Sequence, residues 1–159
     1  MAEKESEPST ANHFVNIDAA NCIAGRICSR ASKILLQGKM VSIVNADKAM
    51  LTGNKFATIQ AYKKNLEVSS ATNPIHGPFH PRRPDTILTR MVRGMLPKRK
   101  PKGKVALKKL RVYNGIPEKL KKSNFENYDD CKITKSSSYY VTMGEVAKQI
   151  GWKGGQSNA

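Results

Sequence analysis

Between Arg82 and Arg111 the chain carries twelve cationic side chains against a single acid, Asp85, a net of +11 out of +16 for all 159 residues. The arginines are Arg82, Arg83, Arg90, Arg93, Arg99 and Arg111, and the lysines Lys98, Lys100, Lys102, Lys104, Lys108 and Lys109. Groups of one sign at this density repel one another in a compact state, and dispersed charge is enough for solubility, so the concentration implies a polyanionic partner. A guanidinium can grip phosphate through two parallel N–H donors, whereas an ammonium acts as a point charge. Arg82, Arg83, Arg90 and Arg93 are therefore candidates for bidentate phosphate contacts, and Lys98, Lys100, Lys102, Lys104 and Lys108 for looser ones. Nucleic acid is the first partner this segment implies, ahead of anionic membrane surfaces or heparin-like polymers.

The other chemistry-bearing residues are weaker signals. Arg26, Arg30 and Lys33 recur on one helical face, which reads either as a solvated stripe or as a second RNA contact. His76 and His80 bracket Gly-Pro-Phe, but no cysteine pair is near and no Asp or Glu follows until Asp85, so a metal site is disfavoured. His80 is instead expected in a loop that stacks on or hydrogen-bonds to RNA or protein. Asp18, Asp47 and Glu67 form no recognisable acid and base pair. The nucleophile elbow, the phosphate-binding loop and the dinucleotide fingerprint are all missing. Gly151-Trp-Lys-Gly154 has the form of a KH loop but lacks a following helix. Only Phe79 and Tyr113 accompany the cations, so phosphates of structured RNA are favoured over stacked single strands. No cofactor, metal or small-molecule substrate is implied.

Composition bounds the rest. A chain of this length with 39% hydrophobic residues suits one folded domain. Cys22, Cys28 and Cys131 are an odd set without a close pair, which points to reduced thiols inside a cell, two of them packed as small apolar residues. No apolar run approaches the roughly 18 residues a bilayer crossing needs, and the N-terminus has no apolar signal core, so a soluble protein is expected.

The elements that must position the cations follow from periodicity. Residues 1–12 are too polar to order themselves. Phe14, Val15 and Ile17 make a strand, Asn21 is placed to cap a helix carrying Ile23, Ile27, Cys28, Ala31, Ile34 and Leu35, and Gly38 stops it. Val41 to Val44 reads as a strand covered on both faces, which completes a βαβ unit with parallel strands. Leu51 to Asn54 reads as a turn, and Phe56, Ile59, Tyr62 and Leu66 mark a second helix. Pro84 and Asp85 open a third, with Ile87, Leu88, Met91, Val92 and Met95 as its apolar stripe. Lys98 to Lys104 reads as a loop, followed by a short helix with Leu107 and Leu110 inward, then a strand at Val112 and Tyr113. Residues 118–138 are a polar excursion. Val141 and Val146 match a hydrophobic staple, Thr142 and Glu145 a capping box, Trp152 is expected to plug the core, and the residues beyond it to fray. The implied organisation is a tail (1–12), an α/β domain with its basic segment (13–117), the excursion (118–138) and a C-terminal strand and helix (139–159).

These residues also carry a resemblance. Ile17 to Arg26, Val44 to Asp47 and Leu51 to Gly53 resemble the N-terminal half of the universal large-subunit ribosomal protein L-thirteen family. Gly77-Pro-Phe-His80, Val92-Arg-Gly-Met-Leu-Pro97 and Leu110 to Pro117 look like its central segment, in the archaeal and eukaryotic form, and Gly144 to Lys153 is similar to that branch's ending. The resemblance implies a single three-layer α/β/α domain with a small, mainly parallel sheet. It also implies a non-enzymatic role in the cytoplasmic ribosome, with nucleolar assembly in a eukaryote: binding large-subunit ribosomal RNA beside neighbouring ribosomal proteins and supporting subunit assembly. Messenger-RNA-binding translational regulation is the alternative, and an α/β enzyme on a nucleotide or RNA substrate a more distant one. Two departures stand out. Residues 118–138 match poorly, and the chain stops six residues after Lys153 where many eukaryotic members continue into a basic helix, so contacts of that extension should be absent or replaced.

Overall fold

Three short apolar runs build the central sheet of the computed structural model, which describes residues 14–154. The expectations for the tail 1–12 and for the end beyond Gly154 lie outside the described residues. Strands β1 (Phe14–Asp18), β2 (Met40–Val44) and β4 (Leu110–Val112) pair in parallel, with β2 in the middle. The register sets Val15 beside Val41 and Leu110, and Ile17 beside Ile43 and Val112, so one face of the sheet is aliphatic. The other face of β2 is buried too, through Ser42 and Val44, as its consecutive apolar residues require.

The β1 to β2 crossover is helix α1 (Ala24–Leu36), whose Ile27, Cys28, Ala31 and Leu35 are buried while Arg26, Arg30 and Lys33 face outward. Gly38 supplies the left-handed residue after its end, at φ +93°. Asn21 is not the cap. It adopts φ 55° itself, the helix begins after Ile23 without a side-chain cap, and the Ile23 N–H donates to the Cys131 carbonyl at 2.8 Å. A distant segment thus supplies what a local side chain was expected to supply.

Residues 51–52 are likewise not a turn. Strand β3 (Met50–Thr52) pairs antiparallel with β5 (Tyr140–Thr142), and only Gly53 and Asn54 turn the chain. The Asn54 side chain accepts from the Phe56 N–H and so caps α2 (Lys55–Glu67). That helix lies on the surface: Ile59, Tyr62 and Leu66 are half-buried against the core, whereas Phe56 is 75% exposed and falls off the stripe.

Helix α5 (Met143–Gln149) follows β5 directly. Thr142 Oγ1 accepts from the Glu145 N–H at 3.2 Å, and Val141 and Val146 are both buried. The helix ends in a Schellman turn, with Gly151 N–H to Lys148 O at 3.2 Å, Trp152 N–H to Ala147 O at 2.9 Å and Gly151 at φ +99°. This turn leaves Ile150 as the inward residue and places Trp152 half-buried at the surface, so the indole does not plug the core.

Beyond β4 the chain crosses from one edge of the sheet to the other, where the Glu126 N–H donates to Asn16 O on β1 at 2.8 Å. All three cysteines are buried and unpaired. Burial pushes the Cys28 thiol up to about 12 and raises those of Cys22 and Cys131 as well. These elements form an α/β domain with a small, mainly parallel sheet, as the resemblance implies.

Candidate nucleic-acid interface

The basic segment is carried by two helices, α3 (Pro84–Met95) and α4 (Pro101–Lys108), packed beside α1. Pro84 occupies the first helical position, where its missing N–H costs nothing. Ile87, Leu88 and Val92 are buried along one side of α3, and Leu96 continues that line. Met95 is 46% exposed and does not belong to the apolar stripe expected to include it. At 100° per residue it lies about 20° from Leu88, on the expected line, but it is the last residue of the helix and stays at the surface while Leu96, just beyond, takes the inward place.

The segment 98–104 is not a single loop. The Lys100 N–H donates to Pro97 O at 3.0 Å, and the helix resumes at Pro101, whose fixed φ suits its first position. Lys102 and Lys104 therefore project from a helix. Gly103 makes the tight turn possible: a Cβ there would lie 2.2 Å from the Pro97 carbonyl oxygen, well inside van der Waals contact. Gly103 and Ala106 are the buried residues of α4, Leu107 is half-buried, and Leu110 lies in β4 and not on the helix.

The fold divides the predicted cations by what they already hold. Arg83 donates from Nε and Nη2 to the two oxygens of Asp85, at 3.2 and 2.8 Å, so its fork is occupied. Arg90 donates to the Phe79 carbonyl, and Arg111 to those of Lys108 and Leu110. Lys109, half-buried, donates to Gly38 O at 2.7 Å and ties α4 to the end of α1. Arg82 lies against the backbone of Gly151. By contrast Arg93, Lys98, Arg99, Lys100, Lys102, Lys104 and Lys108 are exposed and have no hydrogen-bond or ion-pair partner among the described residues. They run from the end of α3, through the turn, along the outer side of α4. Lys39, exposed beside the Gly38 to Lys109 link, extends the same surface. It is isolated in the sequence, and only the fold brings it there.

Two of the three predicted α1 cations are engaged elsewhere. Arg26 donates to Asp130 O at 2.8 Å, and Arg30 pairs with the Asp130 carboxylate at 2.5 Å while its guanidinium lies 5.9 Å from the centre of the Tyr128 ring. Lys33 alone is exposed without such a partner among the described residues. His80 is a strut as well. Its Nε2 lies 2.7 Å from Val68 O, which requires that nitrogen to carry a proton, and with the Arg90 bond to Phe79 it closes the loop 68–80. No group of three or more His, Cys, Asp or Glu able to hold a metal comes together among the described residues. No helix there is long and apolar enough to cross a membrane.

A small parallel α/β domain that holds seven unpaired cations on a rigid helical turn defines a class, the basic α/β proteins built to seat on a polyanion. Comparison with known proteins narrows that class. The family model described as Ribosomal protein L13 matches residues 12–119, and the chain belongs to that family. A relative in Archaeoglobus fulgidus, named large ribosomal subunit protein uL13, is 40% identical over 143 residues, covering 89% of this chain and 90% of its own. Proteins of the same name in Methanococcoides burtonii and Methanopyrus kandleri are 43% and 35% identical, over 86% and 95% of this chain and 97% and 96% of theirs.

Proposed function

We propose that this chain is a structural constituent of the large subunit of the cytoplasmic ribosome. It binds ribosomal RNA beside neighbouring ribosomal proteins and supports subunit assembly and translation. Membership in the family carries the assignment, and the seven unpaired cations of the α3 to α4 turn carry its chemistry. Membership in the same family makes it a structural component and not an enzyme. The reading places Arg93, Lys98, Arg99, Lys100, Lys102, Lys104 and Lys108 against phosphates of folded RNA. Arg82, Arg83, Arg90, Lys109 and Arg111 hold the protein side of that surface in shape, as His80 holds the adjoining loop.

Binding of this type releases counterions, so affinity should fall steeply with salt. With six to ten phosphates neutralised, the complex of the full chain with a duplex-like RNA fragment is expected to lose roughly three to five decades of affinity between 50 and 200 mM salt, as for B-DNA. A nearly flat salt dependence would contradict the mechanism. In cell extract the protein should sediment with large subunits at moderate and high salt, and recovery only at the top of the gradient would overturn the assignment.

A further inference from the structure

A second concave site lies away from the cationic turn. The link from Lys109 to Gly38 fixes α4 at the N-terminal ends of β2 and β4. At the opposite end, about 16 Å along a five-residue strand, the residues after β1 and β2 meet α5 around a depression of about 390 Å³. Asn21, Asp47, Lys48, Glu145, Lys148 and Trp152 line it. The position is the one where parallel α/β sheets expose backbone and side chains to ligands, beyond the carboxyl ends of the strands.

The walls are fixed. The Schellman turn holds Trp152 through its bond to Ala147 O. The floor is tight because a Cβ on Gly144 would lie 3.0 Å from the Asp47 carbonyl oxygen. Both acids are engaged: Asp47 Oδ1 accepts from the Gly115 N–H at 3.2 Å, and Glu145 pairs with Lys55 at 3.4 Å. Lys48 and Lys148 are exposed, hold no hydrogen-bond or ion-pair partner among the described residues, and line the depression together with Trp152. A half-buried indole and two unpaired cations lining one notch, large enough for a base, offer a stacking face and phosphate contacts together.

We propose that this notch takes one unstacked nucleotide of the bound RNA, with its base on Trp152 and its phosphates on Lys48 and Lys148, and with Asn21 facing the base edge. The inference rests on the reading of the chain as an RNA-bound protein, and it gives that RNA a feature the cationic turn does not require. An acidic peptide would use the lysines but leave the indole face idle.

Trp152 is the chain's single tryptophan, so its emission reports the site directly. The full chain is titrated with two RNA hairpins, one fully paired and one carrying a single-nucleotide bulge. The bulged hairpin is expected to quench emission by more than half, while the paired one binds and leaves it nearly unchanged. Replacing Lys48→Ala and Lys148→Ala should raise the bulged RNA concentration for half-quenching about tenfold without altering affinity for the paired hairpin. Equal responses to both hairpins would overturn the notch and leave the cationic turn standing. Quenching by polyglutamate as strong as by the bulged RNA would assign the notch to a protein partner and also overturn the proposal. If neither hairpin binds, the RNA-binding reading fails with it.

Discussion

Helix α1 and the α3 to α4 turn present cations of the same types at similar spacings, yet the fold uses them differently. On α1, Arg26 and Arg30 meet Asp130, more than ninety residues later in the chain, and fasten the excursion to the domain. On the turn, no acid pairs with the cations from Arg93 to Lys108 among the described residues. Asp85 is held by Arg83, and those cations face solvent. A basic stripe is therefore a strap or an interface according to whether the rest of the chain brings it a partner. Periodicity within the stripe does not carry that information.

The comparison predicts its own largest contrast. Replacing Lys98, Arg99, Lys100 and Lys102 together by alanine should weaken binding to folded RNA by ~10²–10³-fold, at about 1 kcal/mol per screened phosphate contact, and flatten the salt slope by about three to four. Thermal stability should stay within about 0.5 kcal/mol, since these side chains are exposed and hold no hydrogen-bond or ion-pair partner among the described residues. The pair Arg26→Ala and Arg30→Ala should leave RNA affinity within about threefold. Filter binding and thermal melts on both variants measure the contrast, and a larger affinity loss from the α1 pair would reverse the assignment of the two surfaces.

A smaller effect tests whether the turn works as a rigid shape or merely as charge. Gly103→Ala changes no charge, and helix propensity alone predicts a gain of about 1 kcal/mol. The contact with Pro97 opposes it: a Cβ at 2.2 Å from the carbonyl oxygen forces the backbone apart, at a cost of about 1–3 kcal/mol. The expected outcome is a net loss of stability accompanied by weaker RNA binding. Gained stability with RNA affinity intact would show that the cations need no fixed geometry.

What could be read from residues alone follows the range of each interaction. The βαβ start was legible because Val15, Ile17, Ile27, Ala31, Leu35, Val41 and Ile43 obey local periods of two and 3.6. Pro84 and Thr142 announced their helices through local capping chemistry, and the resemblance covered most of the chain. The misses were long-range. Leu51 and Thr52 pass for part of a turn until β5 arrives from residues 140–142, and Asn21 passes for a cap until residue 131 takes that place. Within the basic segment the net charge was plain, but its division was not. Whether Arg90 reaches a phosphate or the Phe79 carbonyl depends on a loop closed by His80, and no spacing rule encodes that.

The smallest effect concerns the strap, and it sharpens the meaning of the α1 cations. Arg30→Ala removes an exposed ion pair and a cation–π contact, worth together about 0.5–1 kcal/mol at such a surface, so the melting temperature should fall only slightly. The local effect is expected to exceed the global one. Cys131, 1% exposed, sits directly after Asp130, and desolvation raises its thiol pKa, so in the native protein it should react with a thiol reagent at pH 8 slowly, through opening of the strap. Loss of the Arg30 anchor favours that opening, and the labelling rate at Cys131 should rise about two- to fivefold for an anchor of that worth, while Cys28, fully buried under α3, should keep its rate. Peptide mapping of the labelled cysteines separates the two. Equal acceleration at both sites would mean that Arg30 supports the whole domain. An unchanged rate at Cys131 would mean that the backbone bonds from Ile23 to Cys131 and from Glu126 to Asn16 hold the strap unaided, leaving Arg30 available to RNA after all.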